Sequence, residues 1–119
     1  MRVYLVRHGE AASEGYDRDE LRPLTERGRR RFRASAAIWS EQTPAPTLWI
    51  ASPLVRAVQT AEIAHGAFGS EAPLAISEGL LPEARVSAAA QLVDDHFGET
   101  LALVGHQPLM GALAAFLLG

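Results

Sequence analysis

Four short apolar runs, separated by longer stretches with helical periodicity, constrain the fold of this chain more than any other feature. The runs cover residues 3–6, 47–50, 74–76 and 100–104. Nearly every position in them is apolar, without polar alternation, which is typical of strands buried on both faces of a parallel sheet. Strands that alternate with helices favour an α/β fold. We therefore predict a three-layer α/β/α sandwich with a mostly parallel central sheet.

The first two helices carry recognisable start signals. Thr25 is the predicted N-cap of a helix that runs from residue 26 to about residue 41. Ser52 is the predicted N-cap of the second helix, which has Pro53 at its first position and reaches about residue 67.

Two more helices are predicted in the second half of the chain. An amphipathic pattern covers residues 86–97. The fourth helix begins at Gln107-Pro108 and is apolar almost all round, so we expect it to be buried.

Composition limits the class of protein. A length of 119 residues with 48% hydrophobic residues predicts a single domain over residues 1–119. The net charge of -3 argues against nucleic-acid binding, which usually needs a basic face. The chain has no cysteine, so a disulfide framework and a cysteine nucleophile are excluded. With neither a signal peptide nor a membrane-length apolar stretch, we expect a cytoplasmic protein without membrane contact.

Arginine and histidine side chains follow three of the four predicted strands. Arg7 and His8 come directly after the first strand. The second strand is followed by Ser52-Pro53 and, one helical turn later, by Arg56. His106 follows the fourth strand. Because ligands of open α/β sheets bind beyond the carboxyl ends of the strands, we expect these four side chains to meet at one edge.

These residue types suit phosphoryl transfer. The guanidinium group offers donors that match two phosphate oxygens at once. A neutral imidazole is a competent nucleophile near pH 7 and forms covalent intermediates. A second histidine can stay cationic if it faces phosphate and not apolar surface. We therefore predict a phosphohydrolase with His8 as nucleophile and with Arg7, Arg56 and a cationic His106 around the phosphoryl group.

The same residues resemble the motifs of the histidine phosphatase (phosphoglycerate-mutase-like) superfamily. The matching segments are Arg7-His8-Gly9-Glu10, residues 52–61 and Gly105-His106, and they occur in the family's order. Residues 22–28 resemble the small phosphohistidine phosphatase branch of that family. The resemblance extends over nearly the whole chain and implies a phosphoglycerate-mutase-like fold.

Carried over residue by residue, the resemblance implies that His8 accepts the phosphoryl group and that Arg7, Arg56 and His106 bind it. Arg22 is a further candidate for substrate binding. Water would then hydrolyse the phosphohistidine intermediate, and neither a metal nor an organic cofactor is implied. The implied substrate is a phosphorylated protein, most naturally a phosphohistidine protein, with a small phosphate ester as the alternative.

The chain departs from the family pattern in its loops. Many family members have an asparagine several residues after the first motif, whereas residues 11–15 contain none. They also have a long insertion that closes over the substrate, for which this chain has no room. Both departures favour an open site that admits a phosphorylated side chain of another protein.

The residue that protonates the leaving group is not marked by any motif. Many family members use a carboxylate for this step. Glu83, in the loop beyond the third strand, is our preferred candidate, ahead of Glu78 and Glu10.

Other functions remain open at this point. A phosphatase for small phosphate esters would use the same four pocket residues. A non-catalytic phosphate- or phosphoprotein-binding module would keep the fold, although the intact nucleophile, arginines and second histidine argue against it. A metallohydrolase is a third possibility, because two histidines and a nearby glutamate are potential metal ligands.

A basic run lies on the first helix, at Arg27, Arg29, Arg30, Arg31 and Arg33. Such a run is usually a solvated helix face, and its functional alternative is a docking patch for an acidic protein partner or a nucleotide.

The resemblance also implies a further strand after the fourth helix, and this sequence ends at Gly119 before it. Exposed apolar surface at that helix would be consistent with a short natural form, a dimer surface or an incomplete sequence, and the oligomeric state is left open.

Overall fold

The computed structural model describes residues 1–119 as three layers around one sheet. The strands are β1 (Arg2–Arg7), β2 (Leu48–Ala51), β3 (Leu74–Ile76) and β4 (Thr100–Gly105). Their order in the sheet is β1-β4-β2-β3, and every pairing is parallel. The predicted α/β fold is confirmed, and each apolar run coincides with a strand to within one residue at either end.

The helices cover both faces of the sheet. They are α1 (Glu26–Gln42), α2 (Val55–Ala67), α3 (Val86–Asp95) and α4 (Leu109–Leu118). Ile50 and Leu103 pack with α3 and α4, whereas the neighbouring Trp49 and Ala102 pack with α1 and α2. Because successive strand residues point to opposite faces, this alternation buries the sheet on both sides. No helix combines the length and apolar composition that a bilayer crossing would need.

The start of α1 confirms the predicted N-cap. Thr25 Oγ1 accepts a hydrogen bond from the Gly28 N–H at 2.8 Å. Gly28 is also packed so tightly that a Cβ at this position would lie 2.3 Å from the Glu10 carbonyl oxygen. The glycine therefore lets α1 lie directly against the loop that follows β1.

The prediction of Ser52 as the N-cap of α2 was wrong. The helix begins at Val55 with Leu54 as its N-cap residue, and no side chain caps it. Ser52 is fully buried, and its hydroxyl lies 2.8 Å from His106 Nε2. Its hydroxyl thus contacts His106 at the end of β4 and the N–H of Leu54, and it does not bond the first turn of the helix.

The predicted burial of the whole of α4 was also wrong. Leu109, Met110 and Leu113 are buried, but Phe116 is 58% exposed and Leu118 is 90% exposed. An outer-layer helix packs on the sheet with one face only, so an apolar composition all round does not bury its other face. The third helix ends at Asp95, two residues earlier than predicted.

Candidate active site

His8 lies in the turn after β1, at the carboxyl edge of the sheet. Its backbone N–H donates to the Gly105 carbonyl at 3.0 Å, which joins this turn to the end of β4. Its ring Nδ1 lies 2.7 Å from the Gly9 carbonyl oxygen. A carbonyl oxygen only accepts, so Nδ1 carries the ring proton and Nε2 keeps its lone pair. Nε2 is the atom of His8 that can act as a nucleophile.

The environment of His8 favours the neutral ring. Partial burial lowers its pKa, and the charges of Arg56, Arg7 and Arg22 lower it further against the opposing hydrogen bond to Gly9. A neutral imidazole is the nucleophilic form. The His8 turn therefore presents a reactive lone pair at neutral pH.

His106 lies beside His8 at the end of β4. The two rings are arranged edge to face with their centroids 5.1 Å apart. Burial, the neighbouring His8 and the Arg56 charge lower the pKa of His106 to about 4. His106 is thus neutral at pH 7, and the cationic form that we expect opposite a phosphate stays a prediction. A phosphoryl dianion would favour the protonated form again.

Ser52 selects the tautomer of His106. The Ser52 Oγ accepts a hydrogen bond from the Leu54 N–H at 3.3 Å and lies 2.8 Å from His106 Nε2. His106 Nε2 is the one acceptor that the buried Ser52 hydroxyl has in the protein, so we assign the hydroxyl hydrogen to this bond and the ring proton of His106 to Nδ1. Nδ1–H is therefore a hydrogen-bond donor in the neutral ring.

Arg56 is held from one side by Asp19, a residue that our sequence analysis missed. Arg56 is 4% exposed, and its Nη1 and Nη2 donate to the backbone oxygen and to Oδ2 of Asp19 at 2.9 and 3.0 Å. Asp19 also accepts two hydrogen bonds on Oδ1 from Arg22, at 2.9 and 2.7 Å. The hydrogen bonds from Arg22 and Arg56 lower the pKa of the Asp19 carboxyl. One ionised carboxylate therefore orients both guanidinium groups.

Two buried side-chain nitrogens have no hydrogen-bond partner within the protein, and both belong to this site. They are Arg56 Nε and His106 Nδ1. Buried donors without partners are rare in folded proteins, so such atoms call for an explanation. An oxyanion beside His8 would satisfy both, because its oxygens are strong acceptors.

The predicted residues around His8 are divided between a surface cleft and the protein interior. Arg7 and Arg22 line a cleft of about 610 Å³ together with His8. This His8 cleft is bounded by residues 7–11, Arg22 and the α1 residues Gly28, Arg31, Phe32 and Ser35. Arg56 and His106 are buried and do not line this cleft. The charges of Arg7, Arg22 and Arg56 thus all act on His8, and the His106 ring packs against it.

Glu83 does not line the His8 cleft. It is exposed and borders a second cleft, of about 410 Å³, together with Asp19 and Pro53. Of the other candidate acids, Glu10 lines the His8 cleft and Glu78 begins a short 3-10 helix at Glu78–Leu80. No three histidine or carboxylate groups lie together in a geometry that would hold a metal ion.

Thr60 is a second residue whose role we did not predict. Its hydroxyl donates to the Arg56 carbonyl at 2.7 Å and accepts from the Gly9 N–H at 3.1 Å. It thereby links α2 to the His8 turn. The spacing of four residues from Arg56 was a usable signal, because residues four apart share one helix face. For Asp19, which lies 37 residues from Arg56 in sequence, no such local signal exists.

Comparisons with known proteins identify the family of this chain. A family model of the histidine phosphatase superfamily (branch 1) matches residues 3–81, which include the first two motifs. An uncharacterized protein from Picosynechococcus sp. is 35% identical over 118 residues, which represent 96% of this chain and 71% of that protein.

Solved structures resemble this chain over nearly its full length. A candidate phosphohistidine phosphatase, SixA, from Agrobacterium tumefaciens superposes with a TM-score of 0.90 at 28% identity, over 99% of this chain and 77% of that one. The protein histidine phosphatase SixA in complex with tungstate has a TM-score of 0.88 at 30% identity, over 97% and 75% of the two chains. The alpha-ribazole phosphatase from Shigella flexneri shares the fold, with a TM-score of 0.80 at 20% identity, over 100% of this chain and 80% of that one. The chain belongs to the histidine phosphatase superfamily, with the fold of its phosphoglycerate-mutase-like members.

Proposed function

We propose that this protein is a phosphatase that hydrolyses phosphohistidine on another protein through a covalent intermediate on His8. The observation that carries the proposal is the arrangement around His8 Nε2. The His8 ring packs against the His106 ring, the charge of Arg56 acts on His8, and Arg56 Nε and His106 Nδ1 are buried nitrogens without a partner in the protein. A phosphoryl group at this position supplies the missing acceptors and meets the nucleophile.

In the first step, His8 Nε2 attacks phosphorus and the bond from phosphorus to the leaving nitrogen or oxygen breaks. Arg56, His106 and Arg7 hold the phosphoryl oxygens, and Arg22 extends the positive charge toward the cleft. Positioning and charge neutralisation provide most of the catalysis in phosphoryl transfer. Arg7, Arg22 and Arg56 supply that charge, and we propose that the reaction needs no metal ion.

In the second step, water attacks the phosphorus of the intermediate and inorganic phosphate leaves. Attack by neutral His8 produces a phosphorylated ring that keeps its Nδ1 proton, which the Gly9 carbonyl binds at 2.7 Å in the free protein. This positively charged ring is a good leaving group, so hydrolysis restores neutral His8. The same Gly9 hydrogen bond thus serves both steps.

The leaving group also needs a proton. Glu83 stays our candidate for this role with phosphate esters, and it would have to act from the second cleft, where it lies near Asp19. A phosphohistidine substrate demands less of a protein acid, because an imidazole leaves readily once it is protonated. This difference favours phosphohistidine over alkyl phosphates as the substrate.

A protein substrate fits the open form of the site. The His8 cleft is bounded by the exposed Arg7 and by the surface of α1, and no segment of the chain closes over it. The similarity to SixA structures supports the same class of substrate. A phosphorylated side chain can therefore enter while the rest of its protein stays outside.

The test combines turnover with trapping of the intermediate. His8→Ala should abolish phosphate release from a phosphohistidine peptide and from an aryl phosphate, whereas His96→Ala, a histidine at the end of α3, should retain it. A radiolabelled substrate should leave an acid-labile, base-stable label on the wild type and none on His8→Ala. Substantial turnover by His8→Ala, or an acid-stable label, would disprove the mechanism. Full activity in the presence of chelators is expected as well.

A further inference from the structure

The His8 cleft is larger than one phosphoryl group requires. Its volume of about 610 Å³ is in the range of sites that hold drug-sized ligands. One wall is the loop that carries His8, and another is the start of α1, where Gly28, Arg31 and Ser35 border the space. Substrate atoms beyond the phosphoryl group will therefore contact α1.

Tight packing holds this helix in place. The Thr25 N–H donates to the Glu10 carbonyl at 3.0 Å, and Gly28 approaches the same carbonyl closely. Arg31 and Ser35 lie three and seven residues beyond Gly28, on the same helix face. Their position relative to the His8 loop is thus set by backbone contacts and not by mobile side chains.

Arg31 differs from the other arginines of the basic run, because it is the member that lines the cleft. Arg27 lies 3.9 Å from Glu10, and Arg30 lies 3.4 Å from Glu26. Arg31 forms no ion pair within the chain. Its charge is therefore available to a ligand in the cleft.

The charge of the whole cleft favours anions. Three arginines line it, and Glu10 is its single carboxylate. Glu10 is itself engaged, because its Oε1 accepts a hydrogen bond from Thr25 Oγ1 at 2.8 Å. Arg7 and Arg22 adjoin the position proposed for the phosphoryl group. Arg31, on the α1 wall, is left as a cation for a different group of the substrate.

We infer that Arg31 forms a second anion subsite, which recognises an acidic side chain close to the phosphorylated histidine of the substrate protein. The inference rests on the proposed function and adds a sequence preference to it. Ser35, one helical turn further along the same face, offers a hydroxyl group beside the guanidinium. Carboxylates suit such a site, because guanidinium groups bind them with paired hydrogen bonds.

The experiment compares two phosphohistidine peptides. They differ only at the two residues before and the two residues after the phosphohistidine, which are all glutamate in one peptide and all glutamine in the other. An exposed ion pair predicts that wild-type kcat/KM is about three- to fivefold higher for the glutamate peptide, mainly through KM. The preference should shrink as ionic strength rises. Arg31→Ala should remove it, and Arg31→Glu should reverse it.

The matched control is Arg33→Ala, an exposed arginine of the same helix that does not line the cleft. This variant should keep the glutamate preference and hydrolyse an aryl phosphate at the wild-type rate. For the two Arg31 variants the readout is the ratio of kcat/KM for the glutamate and glutamine peptides, because any general effect of the changed cleft charge cancels in that ratio. A preference that survives Arg31→Ala, or that is lost equally in Arg33→Ala, would overturn the inference while leaving the proposed function intact. Arg31-dependent selection of a small bisphosphate over a monophosphate, without any peptide preference, would overturn it too. If the aryl phosphate is hydrolysed but no peptide is, both proposals fail.

Discussion

Replacing His106 with glutamine should make the stability of this protein less sensitive to acid. In the unfolded chain His106 titrates at the ordinary pKa of 6.5, whereas burial lowers its pKa in the folded protein to about 4. Well above pH 6.5 the ring is neutral in both states, and the pKa difference then has no effect on the free energy of unfolding. As the pH falls from 6.5 to 4, the unfolded chain binds a proton that the folded chain excludes, so stability is lost.

The size of this loss follows from the two pKa values. At pH 5 the difference in proton binding lowers the free energy of unfolding by about 2 kcal/mol relative to neutral pH. Glutamine cannot titrate, and its amide can still form a hydrogen bond with Ser52. The wild type should therefore lose about 2 kcal/mol more than His106→Gln between pH 7.5 and pH 5.

Urea unfolding, followed by the fluorescence of the core residues Trp39 and Trp49, measures the free energy of unfolding of both proteins at pH 7.5 and pH 5. Comparing the two pH-dependent losses cancels any general destabilisation by the substitution. Equal losses in the two proteins would refute the argument that the folded site excludes the proton. An NMR titration of the His106 ring gives a direct check, and a midpoint near the ordinary value would refute it independently.

Two further substitutions test the packing of α1 and the source of the leaving-group proton. Gly28→Ala places a Cβ 2.3 Å from the Glu10 carbonyl oxygen, so we expect a loss of about 1–3 kcal/mol and a lower kcat/KM. Gly66→Ala, which has open space around the new methyl group on α2, should show neither effect, and equal melting temperatures for the two variants would contradict the packing argument. Glu83→Gln should lower kcat about 100-fold for an alkyl phosphate and much less for an aryl phosphate with a good leaving group, as expected when a general acid is removed. Glu10→Gln serves as its control. An equal loss of kcat for substrates with good and poor leaving groups would contradict the role of Glu83 as the general acid.

Much of the fold was predictable because it depends on local patterns. The apolar run at residues 100–104 marked β4 without any knowledge of its neighbours. Thr25 predicted the start of α1, because an N-cap acts through a hydrogen bond to a residue three positions away. The error at Ser52 arose because its hydroxyl is bound by His106, 54 residues away in sequence. Local signals fail where a distant partner offers a better hydrogen bond.

The candidate site divides in the same way. His8 and His106 each follow a parallel strand, so their position at one edge of the sheet was predictable. The distance of 5.1 Å between their ring centroids was not. The carboxylate that orients Arg56 was not predictable, because Asp19 begins a short 3-10 helix, Asp19–Leu21, that no sequence pattern marks. Local sequence also gave no means of separating Arg31 from the other arginines of its helix.

The sequence by itself determined the order of strands and helices, the positions of the arginines and histidines at the strand ends, and the resemblance to a phosphatase family. These features depend on residue type and short-range spacing, which the sequence displays directly. Only the tertiary structure decided that His106 is neutral, that Asp19 orients two arginines, and that Arg31 borders the His8 cleft. The charge state of a side chain, and whether its polar atoms already have partners, depend on burial and on neighbours distant in sequence. Those neighbours come together only when the chain packs.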